Sequence, residues 1–260
     1  MSTETQLLSM KMGRHTIAEN LATAVAQKRV TLTPDGVYRL PEAELRDGMA
    51  GLVMPHINCL RGPQHPCTFL FDFLYPYAYN EAAVPFMCRN CYKVKIHTQT
   101  LRQLWAAKEI AESLPLSSKS GVEAENHRNQ SLYGTYLYHC DSGLDAAKET
   151  YCHLRSLVDA SPKLGSTVRI TIKRGCTEME QRLGPSNRYT FDPALEKVEA
   201  YLLSKFIIVY RTEFAEDILN RIKLMHMIRV AYQIGDNTYL DFTNGKPLYP
   251  DLIDYAPTTD

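Results

Sequence analysis

The chain has 260 residues, of which 45% are hydrophobic and 22% charged, which is enough apolar material for one large domain or two modest ones without disulfides. Lys and Arg together number 29, as do Asp and Glu, so no overall charge attracts nucleic acid, anionic membranes or acidic substrates. The polar start does not resemble a signal peptide and no apolar run approaches the roughly 18 residues of a membrane span, so we expect a soluble, cytoplasmic protein without a membrane partner.

Three segments are predicted first in the N-terminal region, residues 1–116. Apolar residues at near-helical spacing favour a helix within 4–27, and the turn signal Thr33-Pro34-Asp35-Gly36 favours a hairpin over 28–40. Between 54 and 86, repeated prolines would interrupt helices and central strands. We therefore expect this stretch to be irregular structure, held by burial and by a metal.

A strand, a helix and a linker are predicted next. The strand spans 92–96, and Thr100 caps the helix that follows it. Residues 117–130 are rich in serine, charged and amide side chains that have little to bury. This composition predicts an exposed linker between two regions of the chain.

The C-terminal region, residues 131–260, contains a βαβ pattern. Strands over 132–139 and 167–173 flank a helix that begins at Asp141-Ser142-Gly143, and the expected geometry is a right-handed crossover between parallel strands. Further elements are predicted downstream: a helix that begins at Asp192-Pro193, an amphipathic helix over 213–234 and a hairpin over 239–245. We expect an α/β or α+β fold, with an irregular cysteine-bound N-terminal half followed by a βαβ-containing C-terminal half.

A cysteine-rich segment with the spacing C-x7-C-x20-C-x2-C suggests a metal site. Its members are Cys59, Cys67, Cys88 and Cys91. The C-x2-C pair can hold one ion from a single turn, and zinc takes four such thiolates at about 2.3 Å. An iron–sulfur cluster uses the same ligands, and buried apolar cysteines would give a similar composition, so these alternatives stay open. Seven cysteines, an odd number, favour free thiols and ligands over a disulfide framework.

A second candidate site follows from the βαβ pattern, since open α/β sheets bind ligands at the carboxyl ends of their strands. The candidate catalytic residues there are Cys140, Lys173 and Cys176, and the neighbouring basic residues would lower the pKa of the Cys176 thiol. The candidate ligand-binding residues are Asp141, Ser142, Arg174 and Gly175. Helix capping and an ordinary turn explain the same residues equally well. Because Cys88 and Cys91 precede a strand whereas Cys140 and Cys176 follow two strands, we expect two separate sites.

No recognisable motif names a reaction, because the chain has no P-loop, G-x-G-x-x-G, H-E-x-x-H or G-x-S-x-G sequence. A local basic patch is predicted from Arg89, Lys93, Lys95, His97, Arg169, Lys173 and Arg174, with Tyr92, Trp105 and Tyr136 as aromatic residues for base stacking. The leading prediction is a zinc-stabilised binding protein for nucleic acid or another phosphate-bearing partner. The alternatives are a metal- or thiol-dependent enzyme with a cleft near Cys140 and Cys176, including an iron–sulfur enzyme, and a structural or regulatory module that binds a protein partner.

Overall fold

A computed structural model of the chain describes residues 3–41, 56–61, 66–80, 83–123, 131–207 and 215–250, together with residues 253 and 255. Helices and several sheets are both present, which confirms the mixed α and β fold class expected from the sequence. Among the described helices, none combines the length and the apolar character that crossing a membrane requires.

The described part of the chain contains the following elements. The helices are α1 (Thr3–Leu8), α2 (Ile17–Ala26), α3 (Leu101–Ser113), α4 (Gly143–Ala160), α5 (Thr177–Leu183), α6 (Ala194–Ser204) and α7 (Glu216–Gln233). The strands are β1 (Lys11–Met12), β2 (His15–Thr16), β3 (Thr31–Leu32), β4 (Tyr38–Arg39), β5 (His56–Cys59), β6 (Tyr92–Thr98), β7 (Ser118–Val122), β8 (Tyr133–His139), β9 (Ile170–Arg174) and β10 (Phe206–Ile207). A π-helix spans Phe69–Tyr79, and 3₁₀ turns span Phe86–Cys88, Ser186–Arg188 and Asn237–Phe242.

The main sheet has the strand order β5-β7-β8-β6-β9, and every neighbouring pair is antiparallel. Residues 92–174 run β6-α3-β7-β8-α4-β9, which is the order and pairing of the split βαβ, or ferredoxin-like, arrangement. Strands β8 and β9 are parallel to each other, as the βαβ pattern predicts. They are not neighbours, however, because β6 lies between them. Side-chain periodicity cannot reveal a strand inserted from earlier in the chain.

The two regions predicted from the sequence share this sheet, because β6 from the first region lies between β8 and β9 from the second. The predicted linker, 117–130, contributes β7, whose residues Ser118 and Ser120 are buried between β5 and β8. The linker prediction is therefore wrong for 118–122, and 124–130 lie outside the described residues. A serine-rich segment is exposed only if no neighbouring strand covers it, and the sequence alone does not show such a neighbour.

Residues 69–79, which lie in the stretch predicted to be irregular, form the π-helix instead. Seven of its eleven residues are buried, and Phe73 stacks on Phe206 at 4.5 Å between ring centroids. The side-chain amide of Asn20, on α2, donates to the carbonyl oxygens of Ala78 at 3.1 Å and Tyr79 at 3.2 Å. Burial and these hydrogen bonds outweigh the interruption expected from the proline within the run. The π-helix, α2 and α6 enclose a core separate from that of the main sheet.

The local predictions that depend on turns and caps mostly agree with the structure. Strands β3 and β4 form the expected hairpin, and the Thr100 hydroxyl accepts from the Gln103 amide at 3.2 Å. The hairpin predicted over 239–245 is wrong, since a 3₁₀ turn is found there. The reason is Asp236, whose carboxylate accepts from the amides of Leu101 and Thr238 and holds the segment against α3.

A buried ion pair lies on the face of the main sheet opposite α3 and α4. Lys95 Nζ lies 2.5 Å from Glu123 Oε2, both side chains are 6% exposed, and Glu123 also accepts from the Tyr136 hydroxyl. Gly134 makes room for the pair, because a Cβ at this position would lie 2.9 Å from Lys95 Cε. The pKa of Lys95 is lowered by burial, and Glu123 offsets part of this change.

Glu123→Gln is expected to lower the free energy of unfolding by about 3 kcal/mol, because it leaves a buried ammonium without its counter-charge. Glu112→Gln is the matched control, since Glu112 is 31% exposed and pairs with Lys108 one helical turn away at 2.7 Å. We expect the control to cost less than about 1 kcal/mol. Denaturant unfolding at neutral pH measures both, and equal losses would contradict the importance of the buried pair.

Candidate functional site

The start of β6 lies at the same edge of the main sheet as the ends of β8 and β9, because β6 is antiparallel to both. Tyr92, the first residue of β6, pairs with His139 on one side and with Arg174 on the other. A cysteine lies within two residues of each of them in the sequence, namely Cys91, Cys140 and Cys176. The topology therefore brings one cysteine from each of three strand ends to one edge.

Direct contacts connect these strand ends. The side chains of Cys91 and Cys140 are hydrogen-bonded, and this bond, followed by burial, raises the pKa of Cys91. The amide of Gly175 donates to the Cys91 carbonyl oxygen at 2.9 Å. Gly175 has a φ of 62°, in the left-handed region that glycine tolerates, and so turns the chain just before Cys176.

The fourth cysteine is carried by the 3₁₀ turn Phe86–Cys88, which Glu199 of α6 holds in place. The buried Glu199 carboxylate accepts from the amides of Phe86 and Met87, both at 2.8 Å, and from the Tyr79 hydroxyl at 2.6 Å. Burial raises the pKa of Glu199, whereas these hydrogen bonds lower it. The Glu199 carboxylate thus positions the C-x2-C turn through backbone amides and Tyr79, and not through a thiol.

Cys88 and Cys91 of this turn lie within electrostatic range of three further cysteines. Cys88 is 4% exposed, and its pKa is raised by burial and then by Cys67, Cys176 and Cys140. Cys67 and Cys140 also raise the pKa of Cys91. We call Cys67, Cys88, Cys91, Cys140 and Cys176 the thiol cluster. Antiparallel β6 thus brings Cys91 close to Cys140 and Cys176, which the sequence analysis assigns to a separate site.

Cys59 lies apart from the thiol cluster. It pairs with Ser118, which pairs with Leu137, which pairs with Val94 of β6. Three strand spacings separate Cys59 from β6, or roughly 14 Å. Cys67 itself lies just before the π-helix and is exposed.

Lys173 and Arg174 are both occupied by contacts within the protein. Lys173 Nζ lies 2.5 Å from Glu180 Oε2 and 3.0 Å from the Thr177 hydroxyl. The Arg174 guanidinium donates to the Arg89 carbonyl oxygen at 2.9 Å. Lys173 is therefore held as part of an ion pair, and the role predicted for it in catalysis has no support from its surroundings.

Asp141 and Ser142 are exposed at the start of α4. Neither side chain caps the helix, although the Ser142 hydroxyl lies 3.3 Å from His139 Nδ1. The glycine that follows them has a φ of 79°, so the chain enters the helix through a left-handed residue and not through the predicted cap. Asp141 directly follows Cys140 and Ser142 comes one residue later, but no contact marks either of them as a ligand-binding residue.

Tyr75 of the π-helix was not identified from the sequence. It is 3% exposed, and its hydroxyl is buried without a hydrogen-bond partner among the described residues. Burial raises the pKa of Tyr75, followed by the thiols of Cys88 and Cys176. A buried hydroxyl without a partner is uncommon in folded proteins. Glu199 could have been identified as a candidate from the sequence, because it is an acidic residue next to Val198 on the predicted buried face of α6.

None of the seven cysteines forms a disulfide. Among the residues that the structure describes, no three His, Cys, Asp or Glu side chains are arranged to hold a metal ion as they stand. Metal binding would have to displace the protons and draw the sulfur atoms together.

The predicted basic patch is largely neutralised inside the protein. Besides the pairs of Lys95 and Lys173, Arg89 lies 3.3 Å from Glu196. His97 is bound between Ser131 and Thr171, and burial, followed by Lys95 and Arg169, lowers its pKa to about 4. All three aromatic residues proposed for stacking make contacts within the protein: Tyr92 with Arg174, Trp105 with Phe242, and Tyr136 with Lys93, Lys95 and Glu123.

No family model, curated protein or solved structure matches the chain. A strand order shared with other folds does not determine an activity. Function is therefore inferred from the chemistry of the thiol cluster.

Glu199→Gln is expected to lower the free energy of unfolding by about 2–3 kcal/mol, because it weakens three hydrogen bonds to a buried carboxylate. It should also speed alkylation of Cys88, measured by mass spectrometry. Glu196→Gln is the control on the same helix, because its exposed pair with Arg89 contributes less than about 1 kcal/mol. Unchanged Cys88 reactivity in Glu199→Gln would show that this carboxylate does not hold the turn.

The depressed pKa of His97 predicts a loss of stability on acidification. The unfolded chain protonates this histidine near its ordinary pKa of 6.5, whereas the folded state does so only near 4. Stability is thus complete above pH 6.5 and falls between pH 6.5 and 4, by about 1–2 kcal/mol at pH 5. His97→Gln should flatten the pH dependence of denaturant unfolding, whereas His15→Gln, at an exposed position, should not. Identical curves for all three proteins would disprove this assignment.

Proposed function

We propose that the chain is a metalloprotein whose thiol cluster binds one metal centre, with zinc as the first candidate. What supports this is that strand pairing brings Cys91, Cys140 and Cys176 to one edge of the main sheet, while Cys67 and Cys88 lie within electrostatic range of Cys91. Soft thiolate ligands favour zinc and iron–sulfur centres over hard cations such as magnesium. Four of the five suffice for either centre.

The centre would join the core formed by the π-helix, α2 and α6 to the main sheet. Cys88 is buried in the core formed by the π-helix, α2 and α6, and Cys91 and Cys176 pack against that core. Cys140 directly follows β8 of the main sheet. A metal held by these residues would link the helical core to the sheet edge, and its binding energy would add to folding stability. Four thiolates leave zinc no open coordination position, so a structural role is proposed in preference to hydrolysis.

The surface that the centre supports would bind a macromolecular partner in a reducing compartment such as the cytoplasm. Seven free thiols are consistent with that compartment. Recognition of nucleic acid or of another phosphate-bearing partner stays a prediction. It has less support than the metal centre, because the ion pairs of Lys95, Lys173 and Arg89 already neutralise much of the basic patch.

An iron–sulfur cluster is the second candidate, favoured by the donors beside the thiols. The Tyr75 hydroxyl and Arg174 Nε are both buried without partners among the described residues. Inorganic sulfide would offer acceptors that a single zinc ion lacks, and hydrogen bonds to sulfur tune the reduction potential of such clusters. In that case the chain would carry electrons or perform redox chemistry.

Metal content decides between the two candidates. We expect about one zinc per chain and no visible colour after aerobic purification, as a tetrathiolate zinc site predicts. Iron, acid-labile sulfide and a brown colour after anaerobic purification would establish the second candidate. Neither metal in either preparation would rule out the proposed function.

Serine substitutions separate the thiol cluster from the sequence-derived ligand set. We expect Cys88→Ser, Cys91→Ser, Cys140→Ser and Cys176→Ser each to reduce metal content and to lower Tm by about 5 °C or more. Cys152→Ser, at an exposed position of α4, is the control and should change neither. Cys59→Ser distinguishes the thiol cluster from the ligand set predicted by sequence spacing. If it removed the metal while Cys140→Ser and Cys176→Ser retained it, the ligands would be those chosen by sequence spacing.

A further inference from the structure

Cys91 and Cys140 lie opposite each other where β6 begins and β8 ends. Tyr92 pairs with His139 in the antiparallel register of these strands, so the next pair of positions is Cys91 and Cys140. Opposite residues of an antiparallel pair point their side chains to the same face of the sheet. The hydrogen bond between the two cysteine side chains agrees with this placement.

The backbone hydrogen bonds of the sheet make this a close pair. The Cys91 carbonyl oxygen accepts from the Gly175 amide at 2.9 Å, so it points towards β9 and away from Cys140. On β8, the Tyr138 amide donates to the Ser117 carbonyl oxygen at 3.0 Å, and the alternation along the strand directs the backbone groups of Cys140 away from β6 as well. Cys91 and Cys140 therefore form a non-hydrogen-bonded pair, in which the Cα atoms are about 4.5 Å apart and the side chains are closest.

This separation suits a disulfide, whose Cα atoms usually lie about 4.4–6.8 Å apart. It is at the short end of that range, where a disulfide is more easily reduced again. The neighbouring cysteines are less well placed as partners of Cys91. Cys176 is one position out of register, because Gly175 lies opposite Cys91, and Cys88 is buried in the core formed by the π-helix, α2 and α6.

We propose that Cys91 and Cys140 are a redox-active dithiol, which small-molecule disulfides of the glutathione type oxidise reversibly to a disulfide between β6 and β8. Cys140 is directly followed by the exposed Asp141 and Ser142, so we expect it to react first. Its thiolate attacks one sulfur of glutathione disulfide, forms a mixed disulfide and releases one glutathione thiolate. The Cys91 thiolate then attacks the Cys140 sulfur and releases the second glutathione. The protein loses two electrons to glutathione disulfide, and the two thiol protons pass to the released glutathiones.

This inference goes beyond the proposed function and needs no metal. Only a thiolate binds a metal, so the disulfide would exclude Cys91 and Cys140 from any metal centre. The metal content of the reduced protein tests the proposed function, whereas the cysteine pairing in the oxidised, chelator-treated protein tests the dithiol. Either proposal can therefore fail without the other.

Disulfide mapping of the wild-type protein tests the pairing. The reduced, chelator-treated protein is oxidised with glutathione disulfide, its remaining thiols are alkylated, and it is digested with trypsin. Cleavage after Arg89 and Lys93 releases Cys91 on a peptide without Cys88. We expect this peptide to be linked to that of Cys140 and to be released by dithiothreitol. A link from Cys91 to Cys88, or no protein disulfide at Cys91, would overturn the inference.

Serine variants test the reaction itself. Cys91→Ser and Cys140→Ser should each stop at a mixed disulfide, with one glutathione on the peptide of the remaining cysteine. Cys152→Ser, at an exposed position of α4, is the control and should form the disulfide as the wild type does. Oxidation should raise Tm of the wild type and of this control by about 5–10 °C, because it closes a loop of about 50 residues. An equal rise in Cys91→Ser or Cys140→Ser would mean that another pair reacts, and the inference would be wrong.

Discussion

The pairing of β6 with β8 on one side and β9 on the other is the constraint on which the candidate site depends. Both pairings are antiparallel, so the first residue of β6 lies beside the last residues of its neighbours. Were β6 parallel to them, Cys91 would lie at the opposite end of a seven-residue strand, roughly 20 Å away. The direction of one strand thus decides whether Cys91 meets Cys140 and Cys176.

The core formed by the π-helix, α2 and α6 positions Cys88 and Tyr75, which the main sheet does not carry. Glu199 fixes the turn that carries Cys88, and it does so from more than a hundred residues further along the chain. Its three hydrogen bonds offset the cost of burying a carboxylate. The π-helix adds Tyr75 to the same place, while Asn20 holds the end of that helix. Cys88 and Tyr75 therefore depend on the packing of α2 and α6, although neither helix carries a cysteine.

Sequence analysis succeeded where neighbouring residues decide the structure. The β3–β4 hairpin follows from its turn residues, and the start of α3 follows from the Thr100 cap. It failed where distant segments decide, as for β7, which is buried only because β5 and β8 flank it. The placement of the cysteines shows the same limit. Strand pairing puts Cys59 three strand spacings from β6 and brings Cys140 and Cys176 to the start of β6, which spacing along the chain does not reveal.

The charge balance at this edge changes when the thiols ionise. Four thiolates and one zinc ion carry a net charge of −2, which a partly buried site tolerates only beside cations. Lys93, which makes no ion pair among the described residues, lies two residues after Cys91, and Arg174 lies two residues before Cys176. Burial, followed by Lys173, lowers the pKa of Lys93. A thiolate centre bound at this edge would therefore supply a counter-charge for Lys93.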